Sequence, residues 1–168
     1  MALYVDATAL IALGSLHAID VLRHFSERIL ITPEIQKEVR SSSAQITAAL
    51  IAGWMIVETP SPSAVNRLRA ASGLHQGESE LIEVASHGTG MRPQLLIDEA
   101  RAFKYLRRTG LADLVCLAQV LHRLETQGHI TSSQAIMDQL VQSETYRWAK
   151  VVRRHYEVWC AETGHTPL

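Results

Sequence analysis

The chain has 168 residues, enough for one sizeable hydrophobic core and too few for a comfortable second domain. Its 16 Lys and Arg against 17 Asp and Glu give a formal net charge of −1, which excludes a global basic field for nucleic acid and makes any such contact local. A content of 47% apolar and only 5% aromatic residues argues against disorder and for a helix-rich globular protein.

Leu3-Tyr4-Val5 opens the chain as a short buried strand that delivers Asp6 at its carboxyl end. Residues 7–14 are apolar nearly all round and predict a buried helix broken at Gly14, with a second helical segment over 16–25. Arg28-Ile29-Leu30-Ile31-Thr32 reads as a strand, and Pro33 at a first helical position starts a helix over 35–40. A helix over 44–52, a strand over 54–57, a turn over 59–63 and a helix through Ala71 follow. A loop over 73–77 leads to a helix over 78–86, a loop over 88–93 and a strand over 94–97 that ends on Asp98. Helices over 99–109, stopped by Gly110, and over 112–127 come next, then two more within 131–162 and a frayed tail from Gly164. Short strands alternating with helices predict an α/β fold, a small parallel sheet flanked on both faces by helices. The organisation expected is one domain over 1–168, with a core of about 1–130 and a C-terminal helical extension over 131–168.

Cys116 and Cys160 form neither a disulfide framework nor a metal-binding spacing, and Cys116 lies in an apolar helical pattern. Both are read as reduced thiols of a cytoplasmic protein. No segment has the length a membrane span needs, and no secretory leader pattern opens the chain, so a soluble protein with no membrane association is expected.

Helical spacing sorts the acids by face. Ile35 and Val39 define the buried side of their helix, and Glu38 falls at its margin. Glu78 shares an i, i+3, i+4, i+7 stripe with Leu81, Ile82 and Ala85, so it occupies a core position, whereas Glu80 and Glu83 fall on the other side and are expected to be solvated. Asp6 and Asp98 each end a strand where a helix begins, and a helix N-cap is the plain alternative for both. In open α/β sheets that end is also where ligands bind. Four carboxylates cannot stay ionised together in a dry cleft without cations or protons, and an all-oxygen set selects Mg²⁺ or Mn²⁺ over zinc. The eight histidines show no zinc pattern.

At these residues the chain resembles the PIN-domain family, in the branch of VapC-type toxin ribonucleases. Asp6-Ala7-Thr8-Ala9-Leu10 looks like that family's opening D-x-[S/T/N]-x-L, and Ile31-Thr32-Pro33-Glu34-Ile35-Gln36-Lys37-Glu38-Val39 like its strand, Pro and helix-borne Glu. Gly77-Glu78-Ser79-Glu80 and Leu95-Leu96-Ile97-Asp98-Glu99 look like the G-E-x-E and L-L-I-D-[D/E] segments of one prokaryotic branch. The likeness covers about residues 3–130. It implies a divalent-metal-dependent endoribonuclease with Asp6, Glu38, Glu78 and Asp98 as catalytic and metal-binding acids. Thr8 would bond a carboxylate, water or phosphate, and Glu99 would replace Asp98 if the strand's end were off by one residue. In-line attack of a metal-activated water on an RNA phosphodiester, an antitoxin partner and a homodimer are implied as well.

Two positions depart from the pattern. Relatives in this branch carry Ala-Arg where this chain has Ala102-Phe103, and a Gly-Thr turn where Gly110-Leu111 runs into Ala112-Asp113-Leu114-Val115. Arg101, Lys104 and Arg108 share a helix face near Asp98 and form an RNA-phosphate contact or a solvated face. Arg147, Lys150 and Arg154 form a second such face, read first as solvated. A haloacid-dehalogenase-type phosphatase is set aside because Thr8 stands where its second Asp is needed, and a receiver-like domain because no strand-end Lys is in place. A non-catalytic PIN-like binding module is the remaining rival.

Overall fold

In the computed structural model, which describes residues 2–87 and 92–168, the opening apolar run Ala2–Val5 forms strand β1 and Asp6 caps helix α1 (Ala7–Ser15). A single 3-10 turn, Ile19–Val21, leads to the short α2 (Leu22–Phe25) and then to β2 (Arg28–Ile31). Helix α3 (Pro33–Glu38) starts on Pro, with the Thr32 hydroxyl accepting from the Ile35 amide at 3.4 Å. Next come a 3-10 turn (Arg40–Ser42), α4 (Ser43–Ile51), β3 (Met55–Val57), α5 (Pro62–Ser72) and α6 (Gln76–Ser86). The rest of the chain forms β4 (Gln94–Leu96), α7 (Ala100–Thr109), β5 (Asp113–Val115), α8 (Leu117–Thr126), α9 (Ser133–Gln142) and α10 (Lys150–Thr163).

The five strands pair in parallel in the order β3-β2-β1-β4-β5. Helices flank this sheet, as the alternation of the sequence predicts. Strands buried on both faces must be apolar throughout, and Leu3, Val5, Ile29, Ile31, Leu95 and Leu96 are all fully buried. From β1 the chain winds outward through β2 and β3, then returns to place β4 on the other side of β1. The reversal opens a crevice at the carboxyl ends of β1 and β4, the place where open α/β sheets take their ligands. Asp6 and Asp98 both stand there.

The structure corrects several sequence expectations. No helix spans 112–127: Asp113–Val115 is the edge strand β5, and Cys116 caps α8 rather than lying inside it. Three strand residues inside an apolar run carry no periodicity of their own, so helix spacing absorbed them. The segment over 16–25 is not one helix, because His17 takes a left-handed conformation, φ 53°, that interrupts it. The tail does not fray: His165 donates its amide to the Cys160 carbonyl at 2.9 Å, and Leu168 its amide to the Tyr156 hydroxyl at 3.3 Å. The loop expected over 88–93 lies mostly outside the described residues. Among the described residues, no helix is long and apolar enough to cross a membrane.

Gly14 does not break the helix as expected; it lies inside α1, and a Cβ there would meet Ser42 Oγ at 1.8 Å and Ser42 Cβ at 2.5 Å. Close approach of α1 to the Arg40–Ser42 turn is what requires glycine. Gly14→Ala is therefore expected to lower the melting temperature by roughly 3–8 °C through overpacking, and Ser42→Gly to restore most of it, read by circular dichroism. An unchanged melting temperature in the single variant would remove this packing argument.

Candidate active site

Asp6 leaves β1 with one oxygen for each half of the sheet. Oδ1 accepts from the Ala9 amide at 2.9 Å, capping α1, and Oδ2 accepts from the Asp98 amide at 3.1 Å, across the crevice. The plain capping role and the site position therefore coexist in one carboxylate. Asp98 is turned the other way, with both its oxygens on the Leu117 amide, at 3.0 and 3.3 Å, at the start of α8. The buried Tyr146 hydroxyl lies beside Asp98 and has no partner at full hydrogen-bond geometry.

A cavity of about 140 Å³ opens between α1, α3 and α6, lined by Asp6, Thr8, Glu38, His75, Glu78 and Glu99 among others. Glu78 sits on the buried stripe that its spacing predicts, and its Oε2 accepts from the His75 amide at 3.0 Å. Glu38, at the end of α3, is more exposed than its margin position suggests, yet its carboxylate turns into the cavity. A Cβ at Gly77 would stand 3.0 Å from Glu38 Oε1, so the missing side chain leaves the space that carboxylate uses. Glu99 caps α7 through Oε2, which accepts from the Arg101 and Ala102 amides at 2.6 and 2.9 Å, and it also lines the cavity.

Asp98 does not line this cavity. It lines an adjoining groove of about 420 Å³ that shares Thr8 and Glu99 with it. Of the acids singled out from sequence, the structure thus gathers Asp6, Glu38, Glu78 and Glu99 around one cavity and sets Asp98 behind Asp6.

Electrostatics follow from this packing. Burial pushes Asp6 up to about 7, assisted by the charges of Glu78 and Glu99 and opposed by its two amide donors. Asp98 is held well above the usual carboxylate range by burial and by Asp6, against the Leu117 amide. Glu78 is raised by burial and by Glu99, and Glu38 by burial and then by Glu34. The cluster holds protons that separate carboxylates would have lost.

Glu80 and Glu83 are not solvated as expected; both are buried, because α6 packs against α5, α3 and β1 and so has little open face. Glu80 Oε2 accepts from the Glu34 amide at 3.1 Å and Oε1 from the Gln76 side chain at 2.7 Å, which locks α6 to α3. Arg101, Lys104 and Arg108 share the exposed face of α7, but Arg108 lies about 10 Å farther along the axis than Arg101. Only Arg101 stands at the crevice end, donating to the Gly73 carbonyl at 2.9 Å, while Arg108 lies over the Tyr105 ring. Phe103, one of the positions that depart from the family pattern expected from sequence, is fully buried with its ring 5.0 Å from that of His155.

Sequence reasoning missed His75 and Tyr146 as neighbours of the crevice, and Arg147, read first as one of a solvated basic face, lines the adjoining groove. The last two arrive from the C-terminal segment, which carries no motif, and nothing in the spacing signals their approach.

The family model described as a PIN domain matches residues 3–159. The crystal structure of PAE2754 from Pyrobaculum aerophilum is similar in fold, with a TM-score of 0.52 at 20% identity over 75% of this chain and 99% of that one. No curated protein matches the chain. The chain belongs to the PIN-domain family, whose members are generally nucleases that use divalent metal ions.

Proposed function

We propose that the protein is a divalent-metal-dependent endoribonuclease acting on RNA phosphodiesters, and the toxin of a toxin-antitoxin pair. The observation that carries the nuclease reading is the convergence of carboxylates from four separate segments on one cavity at the sheet's switch point. The toxin role and its antitoxin partner rest on the motif likeness to VapC-type proteins.

The donor set fits a hard cation, since Asp6, Glu38, Glu78 and Glu99 offer oxygen alone. The space left by Gly77 for the Glu38 carboxylate supports the same use. Among the described residues, no three His, Cys, Asp or Glu side chains are already gathered as a metal site. When bound, the cation supplies Lewis acidity that activates water and stabilises charge on the reacting phosphate.

The remaining work belongs to the chain. Asp6, pinned by two amides, would hold the cation, and Glu38, Glu78 and Glu99 would face it from the other walls of the cavity. Thr8 offers a hydroxyl to a phosphate oxygen. We assign the fourth carboxylate to Glu99 rather than Asp98, because Glu99 lines the cavity with Asp6, Glu38 and Glu78 whereas Asp98 lines only the adjoining groove. Asp98 positions Asp6 through its own amide.

Purified protein is expected to cleave a mixed RNA pool with Mg²⁺ or Mn²⁺ and not with chelator. Asp6→Asn and Glu78→Gln should each lower the rate by at least about 100-fold. Glu99→Gln should cost more than Asp98→Asn; the reverse order would return the fourth role to Asp98. Absence of cleavage by wild type under every metal, with Mn²⁺ binding no better than in the two acid variants, would replace the enzyme by a binding module.

The raised acids also predict a pH dependence that needs no substrate. Folded Asp6 keeps its proton up to about 7, whereas the unfolded chain releases it near the usual carboxylate value. Folding stability is therefore lost as pH rises through that window. Without metal, the melting temperature should fall by about 5 °C or more between pH 5 and pH 8. Mn²⁺ should raise it more at pH 8 than at pH 5, and Asp6→Asn should flatten the profile. A metal-free protein equally stable at both values would contradict this account of the acids.

A further inference from the structure

We infer that the groove beside the acidic cavity is a nucleobase subsite, in which Trp148 stacks on a base next to the scissile phosphate and Arg147 holds the adjoining backbone phosphate. The inference rests on the nuclease reading and names how single-stranded RNA is held there.

The groove measures about 420 Å³, within the range of small-ligand sites, and is walled by Trp148, Arg147, Glu144 and Thr145 from the α9–α10 connection. Thr8 and Glu99 line both spaces, so a strand with a phosphate at the acids has its neighbouring nucleotide in the groove. Trp148 is half-buried and braced from behind. Its ring centroid lies 5.9 Å from that of Tyr146, nearly edge-on at 80°, and 5.7 Å from that of Tyr156. A braced indole lining an open groove is the stacking platform that single-stranded nucleic acid uses, since every base offers a π-face.

Two further observations tie the segment to the site. The buried Tyr146 hydroxyl lies beside Asp98, which places the start of this connection against the crevice from its interior. Glu144, left-handed at φ 56° just past the end of α9, turns the chain so that its exposed side chain lines the groove. Its carboxylate would accept a hydrogen bond from a base edge, and Arg147, exposed beside it, adds positive charge at the rim of the groove.

The test is fluorescence anisotropy with a labelled eight-nucleotide oligouridylate and an abasic ribose-phosphate chain of the same length, in Ca²⁺. Wild type should bind the oligouridylate more tightly. Trp148→Ala should weaken that binding by roughly 5- to 150-fold without changing abasic affinity, while Trp148→Phe stays within a few-fold of wild type. Arg147→Ala should weaken both chains alike and reduce the salt dependence. Equal affinity of wild type for the two chains overturns the subsite even if Trp148→Ala fails to fold. Unchanged RNA affinity in every variant also overturns it, as expected of a groove built for a partner peptide. Cleavage in Mn²⁺ without base discrimination sinks the subsite and leaves the nuclease standing; base discrimination without cleavage does the opposite.

Discussion

One carboxylate joins the two halves of this sheet. Asp6 accepts from the first turn of α1 with one oxygen and from the chain leaving β4 with the other, so the β1 and β4 ends are held in one register at the crevice. Its two oxygens divide the work, whereas asparagine would turn a donor NH2 toward one of the two amides. The cost is a carboxylate in a dry place, offset in part by its two amide donors. Fold and site thus share a residue, and neither role can be moved without the other.

The same device recurs around the crevice. Glu99 caps α7, Glu78 reaches back to the amide that precedes its own helix, and Asp98 faces the first amide of α8. The starts of α1, α6, α7 and α8 therefore converge, and their dipoles favour negative charge at the place where the carboxylates collect. Glu38 is the exception, standing at the end of α3, where the dipole works against its charge. A crevice ringed by helix starts and studded with acids would suit a cation between the carboxylates, with a phosphate reaching that cation rather than the helix amides, which the acids already occupy. A phosphodiester with its divalent ion is such a pair.

Much of this was legible in the sequence, for identifiable reasons. Asp6 and Glu78 were found because an acid ending an apolar strand, or lying on an apolar stripe, contradicts its surroundings. The parallel sheet followed from apolar runs separated by helices. What failed were readings that depend on neighbours distant in sequence. Glu80 and Glu83 were sorted as though α6 had one buried face, but α5, α3 and β1 surround it. The choice between Asp98 and Glu99 turns on how the chain runs from β4, which ends at Leu96, to α7, which Glu99 caps, and periodicity does not resolve that turn. Strand β5 is too short to show a period, and the glycine in α1 answers to Ser42, 28 positions away along the chain.

The C-terminal segment shows how far the core extends beyond the recognisable motifs. Met137, Leu140, Tyr146, Val152, Tyr156 and Cys160 belong to the same buried cluster as the strands, so α9 and α10 complete the core that the sheet begins. Helix α10 packs on α7, the helix that Glu99 starts, and His122 of α8 shares its ring nitrogen with the Tyr156 hydroxyl at 2.9 Å. An acid at the mouth of α7 and an aromatic on α10 are thereby parts of one packed unit. Displacing α10 would loosen α7 and α8, whose first turns hold Glu99 and Asp98 in place. Geometry at the acids thus depends on a stretch that carries no motif, because a rigid crevice needs every helix behind it to be packed.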